Sequence, residues 1–309
     1  MPHFLTLAGL PATTLTSLLD ASASYKRTRP HGHPPWLNGK TVAVVLEKAS
    51  TRTRVGFEVA IQELGGHAIV LTSVGSQLGR GEPVEDTARV LGRMCHGIVY
   101  RTFGDERMQR MASASGVPVI NALTDLEHPC QIVADLLTVR ERLGSLDVRY
   151  AWIGDGNNMA VSWIHAAAVF GLTLTLACPD GYHPDPDVVA DARAAGATVH
   201  VVGDPVEAAR GADVIMTDVW ASMGQEAEAR KRAEAFAGYL VDDGLFLHAS
   251  GRAIALHCLP AHRGEEISAS IIDGPRGEAI WDQAENRMHT HKAILELAFT
   301  GGAHGPIWP

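Results

Sequence analysis

Residues Thr41 to Glu58 read TVAVVLEKASTRTRVGFE, and the order of chemistry within them sets the reading of the whole chain. Thr41 to Leu46 is a β-branched and aliphatic run of the length of a buried strand, while Val55, Val59, Ala60 and Leu64 recur at helical spacing. Between the two lies Ser50-Thr51-Arg52-Thr53-Arg54. Free backbone N–H groups, hydroxyls and a guanidinium meet there at a helix N-terminus, which makes an anion site. A lone Ser-Thr-Arg is an ordinary N-cap with solvated arginines behind it. Set between a buried strand and a helix, the longer motif fits a phosphate cradle.

Working outward, the alternation of strand and helix continues along the chain. Thr14–Lys26 has the spacing of an amphipathic helix, with Leu15, Leu18 and Leu19 on one face. Strands are expected at His67–Leu71, Gly97–Arg101 and Pro118–Asn121, with helices at Val84–Cys95, Asp105–Ser115 and from Pro129 to about Leu143. Arg101 ends its strand, where ligands of open parallel sheets collect. His128 and Gln131 are expected in the first turn of the Pro129 helix, able to donate to a carbonyl oxygen and to bond an amide. The long loop Thr72–Pro83 offers Gln77 and Arg80 as contacts.

A linker at Leu146–Arg149 opens a second series of strands at Arg149–Ile153, Leu172–Cys178, Thr198–Val202, Asp213–Thr217 and Ile254–Leu256. GDGNN follows the first of these. No third glycine falls at dinucleotide spacing, so Asn157 and Asn158 are read as donors and acceptors for a polar ligand. Asp218 ends a later strand, and HCLPAHRGEE follows the last. Asn286–Ala298 is expected to form a final helix with Ile294, Leu295 and Leu297 on one side and Arg287 in its first turn. The fold class is therefore α/β: two domains, each with a central parallel sheet flanked by helices, and an active site in the interdomain cleft. Domains are expected at residues 1–145 and 146–284, with residues 285–309 returning to the first.

Composition narrows the partners. The 309 residues carry 26 Lys and Arg against 35 Asp and Glu, a formal charge of −9, which argues against nucleic acid or an anionic membrane. Met159–Cys178 is free of Asp, Glu, Lys and Arg, but Gly171 divides it into a helical and an alternating half, so it is not read as a membrane span. Cys95, Cys130, Cys178 and Cys258 form no CxxC pair or metal-ligand spacing, so no metal is expected. The opening MPHFLTLAGLPATTL lacks the flank and core of a secretory signal, and a cytoplasmic location is expected.

STRTR together with HPCQ at His128–Gln131 resembles the carbamoyl-phosphate signature of the transcarbamoylases. DVWASMG at Asp218–Gly224 and HCLP at His257–Pro260 resemble the ornithine carbamoyltransferase branch of that aspartate/ornithine superfamily. The resemblance implies transfer of a carbamoyl group from carbamoyl phosphate to the δ-amino group of L-ornithine, without cofactor, by a cytoplasmic homotrimer or a multiple of trimers. It implies that Ser50, Thr51, Arg52 and Thr53 hold phosphate, Arg101 bridges phosphate and carbonyl, and His128 and Gln131 bind the carbamoyl group. Gln77 would reach the ligand of a neighbouring subunit, and Arg287 would touch the carbamoyl end. Asn158, Asp218, Ser222 and Met223 would hold ornithine, and Cys258 and Leu259 would line the place where the substrates meet. Arg52, Arg101, His128 and Cys258 would carry the chemistry. Leu46 departs from the family pattern, in which Phe precedes Glu-Lys, and Gly238–Arg252 matches no motif. The alternatives are a related enzyme for putrescine, lysine or N-acetylornithine, an NAD-dependent dehydrogenase using GDGNN, and a noncatalytic phosphate-binding protein.

Overall fold

A computed structural model describes residues 3–29, 35–221 and 228–301. The chain forms two compact units. The first takes the chain up to Thr6, Pro11–Ala134 and the described residues from Asn286 onward; the second takes Leu7–Leu10 and Asp135–Glu285.

The first unit contains α1 (Ala12–Thr28), β1 (Thr41–Leu46), α2 (Thr51–Glu63), β2 (His67–Thr72), α3 (Val84–Met94), β3 (Gly97–Arg101), α4 (Asp105–Ser115), β4 (Val119–Leu123) and the first turns of α5 (Pro129–Leu143). Its four strands are all parallel, in the order β2-β1-β3-β4. Central strand β1 is buried from Val42 to Leu46, as an unbroken apolar run demands, whereas edge strand β2 alternates between half-buried and exposed positions. The other edge is covered. Phe4 N–H donates to the Val119 carbonyl at 2.9 Å and the Asn121 N–H to the Phe4 carbonyl at 2.8 Å, so all five residues of β4 are buried.

The second unit contains β5 (Arg149–Ile153), α6 (Asn158–Phe170), β6 (Thr173–Ala177), α7 (Pro186–Ala194), β7 (Thr198–Val202), α8 (Pro205–Ala209), β8 (Val214–Thr217), α9 (Ala229–Ala235), α10 (Asp243–Phe246), β9 (Ile254–His257) and α11 (Ala269–Ile272). Its five strands are parallel, in the order β7-β6-β5-β8-β9. The charge-free stretch is α6 followed by β6, separated by Gly171 in the left-handed region at φ 65°, and no described helix is long and apolar enough to cross a membrane. The motif-free segment holds α10 and a bridge from Val241 to Ile267.

The chain re-enters the first unit within α12 (Glu278–Thr300). This helix is longer than the expected Asn286–Ala298, and Arg287 lies in its interior instead of its first turn. Residues 278–285 contain neither Gly nor Pro and so continue the helix. The buried face hid this length, because it carries Gln283, Asn286, Arg287, Thr290, His291 and Lys292 among its apolar residues. Lys292 is fully buried and ion-paired with Glu63, an exception that pairing permits. Likewise His128 precedes the first turn of α5, accepting with its carbonyl from the Gln131 N–H at 3.0 Å.

Helices α3 and α4 approach so closely that a Cβ on Gly92 would stand 1.7 Å from the Ser115 carbonyl oxygen. Gly92→Ala is therefore expected to lower stability by about 1–3 kcal/mol, read as a fall in the urea unfolding midpoint at unchanged slope.

Candidate active site

The loop after β1 and the end of β3 meet where the strand order of the first sheet reverses, the place where open α/β sheets bind ligands. Ser50 is the N-cap of α2: its Oγ accepts from the Thr53 N–H at 3.2 Å and donates to Thr53 Oγ1 at 2.9 Å. Arg287 Nη2, from α12, donates to the same Thr53 Oγ1 at 2.8 Å, and Arg101 Nη1 reaches it at 3.5 Å. Thr53, Arg101, His128, Gln131 and Arg287 are buried, and Arg52 and Ser50 are half-buried. A cation-rich cluster thus stands at a helix N-terminus.

Electrostatics agree with the geometry. His128 is held well below the usual imidazole range, first by burial and then by the positive charges of Arg287, Arg101 and Arg52, with His291 contributing. A neutral imidazole carrying one N–H therefore lies among these cations. Glu47, just before the motif, fixes the strand ends: Arg107 Nη2 donates to it at 2.6 Å, Tyr100 Oη at 2.5 Å, and Thr102 also donates. Burial works to raise the Glu47 pKa, but these donors outweigh it and the net shift is downward. Gln77 is exposed on the loop ahead of a short turn at Leu78–Arg80, and Thr51 is exposed in the first turn of α2. Neither is hydrogen-bonded to the Thr53 group among the described residues.

The second unit repeats the plan at its own reversal point, between β5 and β8. Thr217 Oγ1 donates to the Ile153 carbonyl at 2.7 Å, joining the two strand ends. Gly156 packs against the chain at Pro184, where a Cβ would stand 2.3 Å from the backbone nitrogen. Asn157 caps α6, its Oδ1 accepting from the Met159 and Ala160 N–H groups, and its Nδ2 donates to Asp218 Oδ2 at 3.1 Å. Cys258 Sγ donates to Asp218 Oδ1, also at 3.1 Å. Asp218 is buried between them, and Asn158 is half-buried at the first position of α6.

Cys258 and Leu259 are seated by His257. The Leu259 N–H donates to His257 Nδ1 at 2.8 Å, so the ring proton sits on Nε2, which donates to Glu266 Oε1 at 3.1 Å. Leu259 takes φ 61°, a left-handed conformation costly for a branched residue and maintained only by such surroundings. Ser222 and Met223 lie outside the described residues.

Sequence reasoning offered Asn157 as a polar group for a ligand, not as a partner of Asp218, and it missed Asp155, Arg232 and Glu266. Arg232 Nη1 donates to Asp155 Oδ2 at 2.6 Å and to the Trp220 carbonyl at 2.8 Å, tying the GDGNN turn to the chain just beyond Asp218. Burial raises the Asp155 pKa, against the pull of Arg232. Two residues of the GDGNN turn were in view as polar groups; for Arg232 and Glu266 no local signal exists. Asp218, His257 and Cys258 bring ligand atoms within 4.8 Å of one another, as a metal site would. His257 does not suit that role, since both ring nitrogens are already engaged.

Comparison with known proteins places the chain in a family. The family model described as "Aspartate/ornithine carbamoyltransferase, carbamoyl-P binding domain" matches residues 2–141, and "Aspartate/ornithine carbamoyltransferase, Asp/Orn binding domain" matches residues 146–298. The chain is 57% identical over 300 residues to the ornithine carbamoyltransferase of Acidothermus cellulolyticus, covering 96% of each, and 52% identical over 296 residues to that of Geobacter metallireducens, covering 95% of this chain and 97% of the relative. The solved ornithine carbamoyltransferase of Pyrococcus furiosus superposes with a TM-score of 0.91 at 43% identity over 97% of each chain. The anabolic enzyme of Campylobacter jejuni gives 0.92 at 39% identity, over 97% of this chain and 100% of that one.

His291, stacked on Phe57 with centroids 3.7 Å apart, is also held well below its usual range, by burial and then Arg287. His128 and His291 stay neutral when folded, while the unfolded chain takes up protons below the ordinary value of 6.5. The unfolded state then binds more protons, so stability falls as pH falls below 6.5. His291→Gln is expected to remove up to about 1.4 kcal/mol per pH unit from that slope below pH 6.5, measured by urea unfolding across a pH series.

Proposed function

The chain belongs to the aspartate/ornithine carbamoyltransferase family, and we infer that it transfers the carbamoyl group of carbamoyl phosphate to the δ-amino group of L-ornithine, giving L-citrulline and phosphate. One observation carries the reading: Arg101 and Arg287 converge on Thr53 at the N-terminus of α2, with neutral His128 beside them. Such a pocket suits a small dianion that also bears a carbonyl oxygen.

We assign the phosphate to Ser50, Thr51, Arg52 and Thr53, with Arg101 spanning phosphate and carbonyl, His128 and Gln131 on the carbamoyl group, and Arg287 at its far end. Gln77 is assigned to the ligand of a neighbouring subunit. The ornithine headgroup falls to Asn158, Asp218, Ser222 and Met223. Asn157 supports this by fixing one Asp218 oxygen while Cys258 fixes the other. Residues 1–145 then form the carbamoyl-phosphate domain and 146–284 the ornithine domain, with 285–309 returning Arg287 to the first. A homotrimer is in keeping with exposed Val55 and Val74, on α2 and on the loop that carries Gln77. A cytoplasmic location accords with four free cysteines.

The δ-amino nitrogen attacks the carbamoyl carbon, and a tetrahedral oxyanion forms as the C–N bond is made. Thr53, Arg101 and His128 are donors already in place for that charge, so no reorganisation is needed as it develops. Collapse breaks the bond to the phosphate oxygen. Phosphate departs with its guanidinium partners and accepts the amine proton, which removes the need for a separate general base.

Carbamoyl phosphate should yield a carbamoylated product with ornithine and not with putrescine, lysine, N-acetylornithine or aspartate offered separately; transfer to another amine would reassign the acceptor. NAD should leave the melting temperature unchanged. Arg52→Ala should lower kcat/KM about a hundredfold or more at unchanged circular dichroism, since it removes a charged contact to the phosphate.

Only the neutral amine is nucleophilic, and at pH 7 fewer than about one alkyl amine in a thousand is neutral in water. The rate at subsaturating ornithine should therefore climb from pH 6 toward pH 9, about tenfold per unit at its steepest. A flat profile with chemistry rate-limiting would count against direct attack by the free amine.

A further inference from the structure

Downstream of Cys258 the chain turns through Pro260–Glu266, and three side chains of that turn gather on the far side of the bond from His257 to Glu266 Oε1. His262, Glu265 and Glu266 bring one ligand atom each within 4.8 Å of one another. His262 Nδ1 lies 3.6 Å from Glu266 Oε2 and 3.9 Å from Glu265 Oε2. Neither separation is a hydrogen bond. Both are what two donor atoms span when each lies about 2.1 Å from one ion at an angle of about 120–135°.

Glu266 supplies the independent sign of a ligand. Its side chain is wholly buried, and its two oxygens are treated differently. Oε1 accepts from His257 Nε2 at 3.1 Å and from the His262 N–H at 2.5 Å, while Oε2 is buried with no hydrogen-bond donor and faces His262 Nδ1. An anionic oxygen buried without a donor costs on the order of a few kcal/mol unless something positive meets it. Half of each of the His262 and Glu265 side chains is open to solvent, which gives an ion a way in.

We propose that His262 Nδ1, Glu265 and Glu266 Oε2 form a binding site for a divalent transition-metal ion. One imidazole and two carboxylates suit Zn²⁺, Co²⁺ or Mn²⁺ better than Ca²⁺, which takes oxygen ligands only. Three protein ligands leave further positions for water. Glu266 is shared: one oxygen meets the ion and the other carries the His257 strut under Leu259. The site makes no use of either substrate, so it stands independently of the carbamoyl-transfer reading.

The test uses the full chain, stripped with a chelator and titrated with Co²⁺ by calorimetry and visible absorption. One ion per chain is expected, with the spectrum of an oxygen- and nitrogen-ligated ion and no thiolate-to-cobalt charge-transfer band. His262→Ala and Glu265→Gln should each weaken binding by about tenfold or more while carbamoyl transfer without metal stays at the wild-type rate. Absence of binding, wild-type affinity in either variant, or a charge-transfer band placing the ion on Cys258 would each overturn the proposal.

Discussion

The structure of the first unit turns on a single hydroxyl. Thr53 Oγ1 faces three donors, from Ser50, Arg287 and Arg101, yet a hydroxyl oxygen has two lone pairs and no charge. The longest of the three contacts, to Arg101 at 3.5 Å, shows the competition. Guanidinium groups drawn into a buried setting call for a countercharge, because desolvation of an ion is repaid only by pairing of good geometry. In the proposed function the phosphate dianion meets that demand, and the neutrality of His128 follows first from burial and then from the same positive charges.

Both units solve the placement problem in one way. Each sheet is parallel and reverses its strand order once, between β1 and β3 in the first and between β5 and β8 in the second. At a reversal the two flanking loops diverge and leave a crevice that backbone and side-chain groups can line. The first unit fills its crevice with cations and the second with Asp218 and amides. An acidic chain can therefore hold an anion, since the net charge of −9 acts over the surface while recognition is local.

The groups that touch substrate in this reading are held by groups that do not. Glu47 gathers Arg107, Tyr100 and Thr102 beneath the strand ends, Arg232 binds Asp155 to the Trp220 carbonyl, and Glu266 sets the tautomer of His257. Each is a charged or ring group at least half withdrawn from solvent and satisfied by partners distant in sequence, which fixes rotamers and keeps reacting groups in register. The left-handed backbone of Leu259 persists by this kind of over-determination.

The strands, most helices between them and the Ser50 cap of α2 could be read from the chain alone, because buried strands and amphipathic helices leave period-two or 3.6-residue patterns and helix starts leave capping residues. The start of α12 could not, since its buried face is polar and breaks the apolar period. Arg287 illustrates the remainder: it reaches Thr53 from 234 positions away, and no local pattern encodes such a meeting. Family resemblance named Arg287, but its contact, like the Asn157 bond to Asp218 and the half-satisfied carboxylate of Glu266, was decided by packing. Periodicity records which side of an element is buried, and only the folded chain determines what that side meets.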